Sequence, residues 1–211
     1  MKRTLFSICA LVLSLTASAQ IIKDTPKGKL IENLYRSSKS WVKKGWTGVQ
    51  PGRYEGIVSK IVIGEDGCIY IYNPLSGLDS KSWLKLERQP DGKYRAKLPQ
   101  DILTDDLGGD DDEEESSERT ISLNRLISSD DGKSYEPVGP TLNYVDFTVE
   151  GRTLKMSGMG QKKQIWGATY NNSWLNNYGG DWALTIEPLK EQLITPPATA
   201  TKSQYTVTSK S

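Results

Sequence analysis

Apolar and polar positions alternate along most of this chain, and the alternation is broken at short intervals by turn-forming residues. Gly56 to Ile63 is β-branched and partly alternating, Glu65-Asp66-Gly67 follows as a turn, and Cys68 to Tyr72 resumes the extended pattern. Two such runs joined by an Asp-Gly turn predict a β-hairpin. Asn73-Pro74 ends the second run, because proline has no N–H to give to a ladder.

The same construction recurs downstream. Ser82 to Arg88 and Lys93 to Leu98 read as strands around a Pro90-Asp91-Gly92 turn, and Pro99-Gln100 reads as their stop. Arg119 to Ile127 alternates again and runs into a turn at Asp130 to Lys133. Leu142 to Val149 and Thr153 to Met156 flank a turn at Glu150-Gly151-Arg152, and Gln164 to Ala168 and Trp182 to Ile186 complete the series. Residues 24–50 carry Leu30, Ile31, Leu34 and Tyr35 at helical spacing. Ser37-Ser38, Gly45 and Gly48 disfavour a long helix there, so extended structure with turns is expected. Strands recurring every 8–12 residues mark antiparallel sheets, and consecutive hairpins favour antiparallel pairing over βαβ units. The expected fold is all-β: an antiparallel β-sandwich or partly open barrel built from consecutive hairpins.

The first 19 residues depart from this pattern. Lys2 and Arg3 precede an apolar stretch from Leu5 to Leu15, and Ala17-Ser18-Ala19 supplies small residues for cleavage. The stretch is too short to span a bilayer and has the three parts of a secretory signal. The expected division is a signal peptide at 1–19 and a β-rich domain at 20–190 with an acidic loop at 105–118. A Pro-rich spacer at 191–197 follows, then a Thr/Ser-rich stretch at 198–211 that reads as a tail or the start of a second β unit. Export implies periplasm, cell surface or the extracellular space, with no transmembrane segment after cleavage. Cleavage also removes Cys9, leaving Cys68 as the mature chain's one cysteine. No internal disulfide can form, and Cys68 is expected as a buried small hydrophobe.

Charge adds a division. Asp105 to Glu118 holds nine acidic residues and no basic one. Without that run and the signal, the mature body carries 25 basic and 17 acidic side chains, a net of +8. The basic residues are scattered rather than clustered, which together with export argues against nucleic acid as a partner.

Catalytic chemistry is poorly provided for. The chain has no His, which removes His-based triads and the commonest transition-metal ligand. One mature cysteine excludes a Cys-rich zinc site. The acidic run offers hard oxygens suited to Ca²⁺ but lacks the spacing and central Gly of an EF-hand loop. No metal site, no cofactor and no catalytic residue is expected. Paired carboxylates such as Asp146 and Asp181 keep a glycoside-hydrolase reading open.

The segment WGATYNNSWLNNYGGDW, from Trp166 to Trp182, sets aromatic rings among Asn and Gly. Flat aromatic faces stack on sugar rings, and Asn amides both donate to and accept from hydroxyls. Trp166 and Trp182 lie in strand-like runs and are expected in the core. Trp174, Tyr178, Asn172, Asn176 and Asn177 are the candidate ligand-binding residues, against the reading of the same segment as core and turn.

One resemblance follows from these motifs. The Asp-Gly turn leads into Ile69-Tyr70-Ile71-Tyr72-Asn73-Pro74-Leu75-Ser76-Gly77, and Ser82 to Lys85, Leu98 to Gln100, Trp166-Gly167 and Thr195 to Thr201 follow in order. Together they resemble secreted β-domain, repeat-type proteins of Bacteroidetes, a group without an established activity. The resemblance covers roughly residues 24–211 and implies an exported, envelope-associated or extracellular β-rich protein. It assigns no functional residue. The function expected is a non-catalytic binding or adhesion module for glycan or surface protein. The alternatives are a structural spacer in a longer surface protein and a carboxylate-based hydrolase.

Overall fold

The computed structural model describes residues 20–43, 48–106, 118–129, 134–157, 159 and 164–187. The expected signal, spacer and tail lie outside the described residues, as does the middle of the acidic run. Among the described residues thirteen strands form one antiparallel system: β1 (Gly28–Lys43), β2 (Val49–Gly64), β3 (Ile69–Tyr72), β4 (Trp83–Arg88), β5 (Tyr94–Lys97), β6 (Gln100–Asp106), β7 (Glu118–Ile127), β8 (Glu136–Pro137), β9 (Tyr144–Glu150), β10 (Thr153–Ser157), β11 (Gln164–Tyr170), β12 (Ser173–Trp174) and β13 (Gly180–Glu187). No helix among the described residues is long and apolar enough to cross a membrane.

The fold is all-β and antiparallel, and it takes the barrel form. Strands run in the order β1-β2-β3-β4-β5-β9-β10-β13, and β13 pairs back onto β1 from Tyr35↔Glu187 to Trp41↔Gly180, closing the wall. Closure removes the sheet edges that an open sandwich would expose. On its other edge β13 forks. Its end pairs β10 at Leu154↔Ile186, while its beginning pairs β11 at Trp166↔Asp181, and β7 and β6 continue outward from β11.

Local chemistry makes the hairpins. In the β2–β3 turn the Gly67 N–H donates to the Gly64 carbonyl at 3.0 Å, and the Asp66 carboxylate accepts the Cys68 N–H at 3.1 Å. In the β4–β5 turn the Gly92 N–H donates to the Gln89 carbonyl at 3.0 Å, and Asp91 accepts the Lys93 N–H at 3.1 Å. Gly67 and Gly92 both hold a positive φ, 79° and 84°. This is the type I turn closed by a left-handed residue, where glycine carries no steric cost.

Alternation then fills the barrel. Ile69 and Ile71, Leu84 and Leu86, Val145 and Phe147, Leu154 and Met156, and Leu184 and Ile186 point inward from five walls into one buried cluster. Ile102, Ile121, Leu123, Trp166 and Ala168 from the forked strands join the same cluster. The outward side of β3 is buried too. Tyr70, Val62, Cys68 and Trp83 form a separate cluster with Ile22 and Tyr72 packed on it. The chain just before β1 straps across this face, bridging Ile22 to Trp83, whose N–H donates to the Ile22 carbonyl at 2.8 Å. A strand covered on both faces explains the unbroken apolar run Ile69 to Tyr72.

Two sequence expectations change in detail. Residues 28–43 form a single 16-residue strand rather than short pieces with turns. Bulges between Ile31 and Leu34 and between Arg36 and Ser38 interrupt its register without ending it, which blurs the period-two signal. Pro99-Gln100 does close β5, which ends at Lys97, but it is not followed by a loop, since Gln100 opens β6. The Gln100 amide accepts the Lys85 N–H and donates to the Lys85 carbonyl, both at 3.0 Å, taking the place of a peptide unit beside β4. The ends of the acidic run are extended as well, pairing Asp105 with Arg119 and Asp106 with Glu118.

The β2–β3 turn is also tied to β4. Asp66 accepts the Tyr70 hydroxyl at 2.8 Å and pairs with the Lys85 ammonium at 3.2 Å. Burial alone would raise the Asp66 carboxyl, but the hydrogen bonds from Tyr70, Cys68 and Lys85 outweigh it and hold the group at about 2. Burial, and then the neighbouring Asp66, push the Cys68 thiol up to about 11, so it is protonated at neutral pH. A carboxyl held below its unfolded value of about 3.9 stabilises the fold above that pH and loses the contribution as pH falls towards 2. Asp66 is 43% exposed, so solvent screening keeps the contribution to about 1 kcal/mol. Urea midpoints measured from pH 6 down to pH 2 are expected to fall more steeply for the wild type than for Asp66→Asn. Parallel curves would contradict the assignment.

Candidate functional site

The Asn-rich segment folds by its turn chemistry. Tyr170 pairs with Ser173 across Asn171-Asn172, and both asparagines hold positive φ, 47° and 59°. That is the type I′ hairpin loop, whose twist matches the flanking strands and whose left-handed positions asparagine tolerates. The chain then forms a 3-10 turn at Asn176–Tyr178 before entering β13.

These residues distribute between two places. Trp174 is half-buried and packs on a second cluster made by Trp41, Leu126, Tyr135 and Ile165. Its ring meets Tyr135 edge-on, with centroids 4.8 Å apart, and its Nε1 donates to the Gly179 carbonyl at 3.1 Å. Tyr178 is also half-buried but packs on the main barrel cluster. Its carbonyl lies so close to Gly77 that a Cβ there would fall 2.0 Å away, which leaves glycine alone able to occupy that position. Trp174 and Tyr178 therefore do not present a joint face to solvent.

Three of the five candidates do meet. Asn172, Trp174 and Asn176, with Ser173, form one wall of a surface groove of about 710 Å³. Ser134 to Val138 forms the other wall. The volume falls within the roughly 300–1,000 Å³ usual for small-ligand sites. The topology explains the groove: β8 pairs β7 and β12 pairs β11, while β7 and β11 pair with each other. The sheet curls until its two short outer strands face one another, with Tyr135 and Trp174 in contact beneath them. Asn177 is exposed and, like Tyr178, is not among the lining residues.

The Ser134 to Val138 wall escapes a sequence reading. Tyr135 and Trp174 are far apart along the chain, and two-residue β8 carries too little alternation to register. A Tyr followed at once by Glu-Pro is the one local hint; the turn expected at 130–133 lies outside the described residues.

Trp166 is fully buried, as its strand pattern implies. Trp182 is half-buried, lies against the second cluster, and has the Lys39 ammonium 5.2 Å from its ring centroid. It occupies a bulge: Lys39 pairs with Ala183 and Ser40 with Asp181, skipping Trp182. The extra residue reverses the parity of β13 and turns Asp181 into the barrel.

Inside, Asp181 is 1% exposed and belongs to a polar cluster at one end of the lumen. It accepts from the Ser40 hydroxyl, from the Ser38 hydroxyl at 3.2 Å, from the Ser76 N–H at 3.1 Å and from Trp166 Nε1 at 3.5 Å. Arg36, 2% exposed, donates to the Tyr72 carbonyl at 2.8 Å, to the Asn73 carbonyl and to the Ser59 hydroxyl at 3.3 Å. Burial lowers the guanidinium to about 10, opposed by the charge of Asp181, so it stays cationic at neutral pH. The Asn73–Lys81 loop is what these two residues hold, and it drives Leu75 and Leu78 into the barrel core as a plug.

Asp146 lies on the other side of the wall. It alternates with inward Val145 and Phe147, and it binds Arg95 in a fork at 2.7 and 2.9 Å. Asp146 and Asp181 face opposite sides of the sheet, so this pair does not converge on a shared substrate. Among the described residues no group of three or more His, Cys, Asp or Glu is placed to hold a metal ion.

Against known proteins, no family model, no curated protein and no solved structure matches this chain.

Proposed function

We propose that this protein is an exported, non-catalytic binding or adhesion module acting on glycan or surface protein at the cell envelope or outside, and that the groove between β8 and β12 is its ligand seat. The observation that carries this reading is the groove itself. Asn172, Trp174 and Asn176, chosen from sequence for their recognition chemistry, line one wall of a cleft of ligand size. Its floor is rigid, because Trp174 is fixed by the Tyr135 ring and the Gly179 carbonyl. A preformed aromatic surface costs little ordering on binding. The Lys2/Arg3, Leu5–Leu15, Ala17–Ala19 pattern supports export.

The test compares the mature protein, from Gln20, with a Ser173→Trp variant that fills the groove from an exposed hairpin position. Both are applied to a defined glycan array and to a panel of purified surface proteins, with matching melting temperatures as the folding control. Binding by the wild type that disappears in the variant is the expected result. Binding that is absent, or that survives the filled groove, removes the proposal.

A further inference from the structure

The chemistry of the groove narrows its ligand, given the reading of the groove as the ligand seat. Among the described residues its lining contains one charged side chain, Glu136, and no lysine or arginine. The mature body outside the acidic run is nonetheless basic. A ligand drawn by that surplus, such as a uronate- or sulfate-bearing chain, would meet a carboxylate of its own sign here and no counter-ion among the described lining residues.

What the lining does offer is hydrogen bonding without net positive charge. The Asn172 and Asn176 amides each donate and accept, the Ser173 hydroxyl does both, and the Glu136 carboxylate accepts from hydroxyl groups. Trp174 supplies a fixed aromatic surface beside them. Asn172 adds a further point. A type I′ loop favours glycine at its second central position, yet this loop keeps an amide there at a φ of 59°.

A peptide added as a strand fits poorly. Both bordering strands are two residues long, and β8 includes Pro137, which has no N–H to offer a new ladder. We infer that the groove between β8 and β12 binds a neutral oligosaccharide, held by Asn172, Asn176 and Glu136 beside the Trp174 ring.

The experiment titrates the mature protein with soluble neutral oligosaccharides and with uronate- and sulfate-bearing ones, followed by calorimetry and amide chemical shifts. Three variants accompany it. Asn172→Gly removes the amide while keeping the turn conformation. Asn176→Ala removes the second amide, and Glu136→Lys reverses the charge at that lining position. Neutral glycans are expected to bind, with affinity falling roughly tenfold in each Asn variant, the loss of about one hydrogen bond. Glu136→Lys is expected to admit the acidic glycans. If the wild type prefers acidic glycans, or binds only a purified protein, and the groove variants weaken that binding, this inference fails while the groove remains the ligand seat. If neutral glycans bind with affinity indifferent to all three variants, the groove assignment fails as well.

Discussion

The Arg36→Met protein is expected to melt roughly 6–20 °C below the wild type. Arg36 is a cation buried inside the barrel, where its partners are the Tyr72 and Asn73 carbonyls and Ser59. Removing it strips those acceptors of their donors and leaves Asp181 with less compensation for its charge. Breaking a buried, hydrogen-bonded charge arrangement costs about 3–5 kcal/mol, and a domain of this size loses about 2–4 °C per kcal/mol. The loss is local in origin, because Arg36 and Asp181 together seat the Asn73–Lys81 plug. Arg36 grips the Tyr72 and Asn73 carbonyls where the plug leaves β3, and Asp181 takes the Ser76 N–H. Asp181→Asn should cost less, since the amide keeps an acceptor for the serines. The decisive measurement is the double variant, because neighbouring groups in one network do not add. Arg36→Met with Asp181→Asn should be more stable than the sum of the two single losses predicts. Strict additivity in urea denaturation would show that the two charges are not coupled.

Trp166→Ala is the second large loss, expected at about 3–5 kcal/mol from the removed side chain and the cavity it leaves. Trp166 is fully buried, lies 5.6 Å from Phe147 between ring centroids, and pairs with Asp181 across the strands where the wall forks. Its removal empties the junction between the barrel and the β11–β7–β6 extension. Trp166→Phe, which keeps most of the volume and loses the Nε1 donor to Asp181, should cost about 1–2 kcal/mol. Chemical denaturation separates the cases. A loss under about 1 kcal/mol for the alanine variant would mean the two strand systems are not packed through this residue.

How much of this was legible depends on the distance over which each feature is specified. The Glu65-Asp66-Gly67 and Pro90-Asp91-Gly92 turns close through bonds between residues three or four apart, so their sequence signal is complete in itself. Strand β6 was not legible. Among residues 100–104 of the strand Ile102 is the one that is fully buried in the core, and Asp101, Asp105 and Asp106 make the run acidic, so it reads as a loop. The candidate site was half legible. The Asn and Trp wall is contiguous in sequence, but Ser134 to Val138 reaches it only through the curl of four strands. Tyr178, chosen with Trp174 for its place in the same segment, turns to a different core, because the 3-10 turn at Asn176–Tyr178 redirects the chain.

The sequence by itself determined the all-β antiparallel class and the positions of most strands. Side-chain alternation and turn hydrogen bonds are local and leave a period of two in the residue order. Only the tertiary structure decided that the sheet closes, which strand faces are covered, and where the buried charges meet. Ser40 and Asp181 are 141 residues apart, and they face each other because a bulge at Trp182 reverses the parity of β13. A one-residue shift of that kind moves every later side chain to the opposite face. No local pattern records it, because it exists only once β13 is paired with β1.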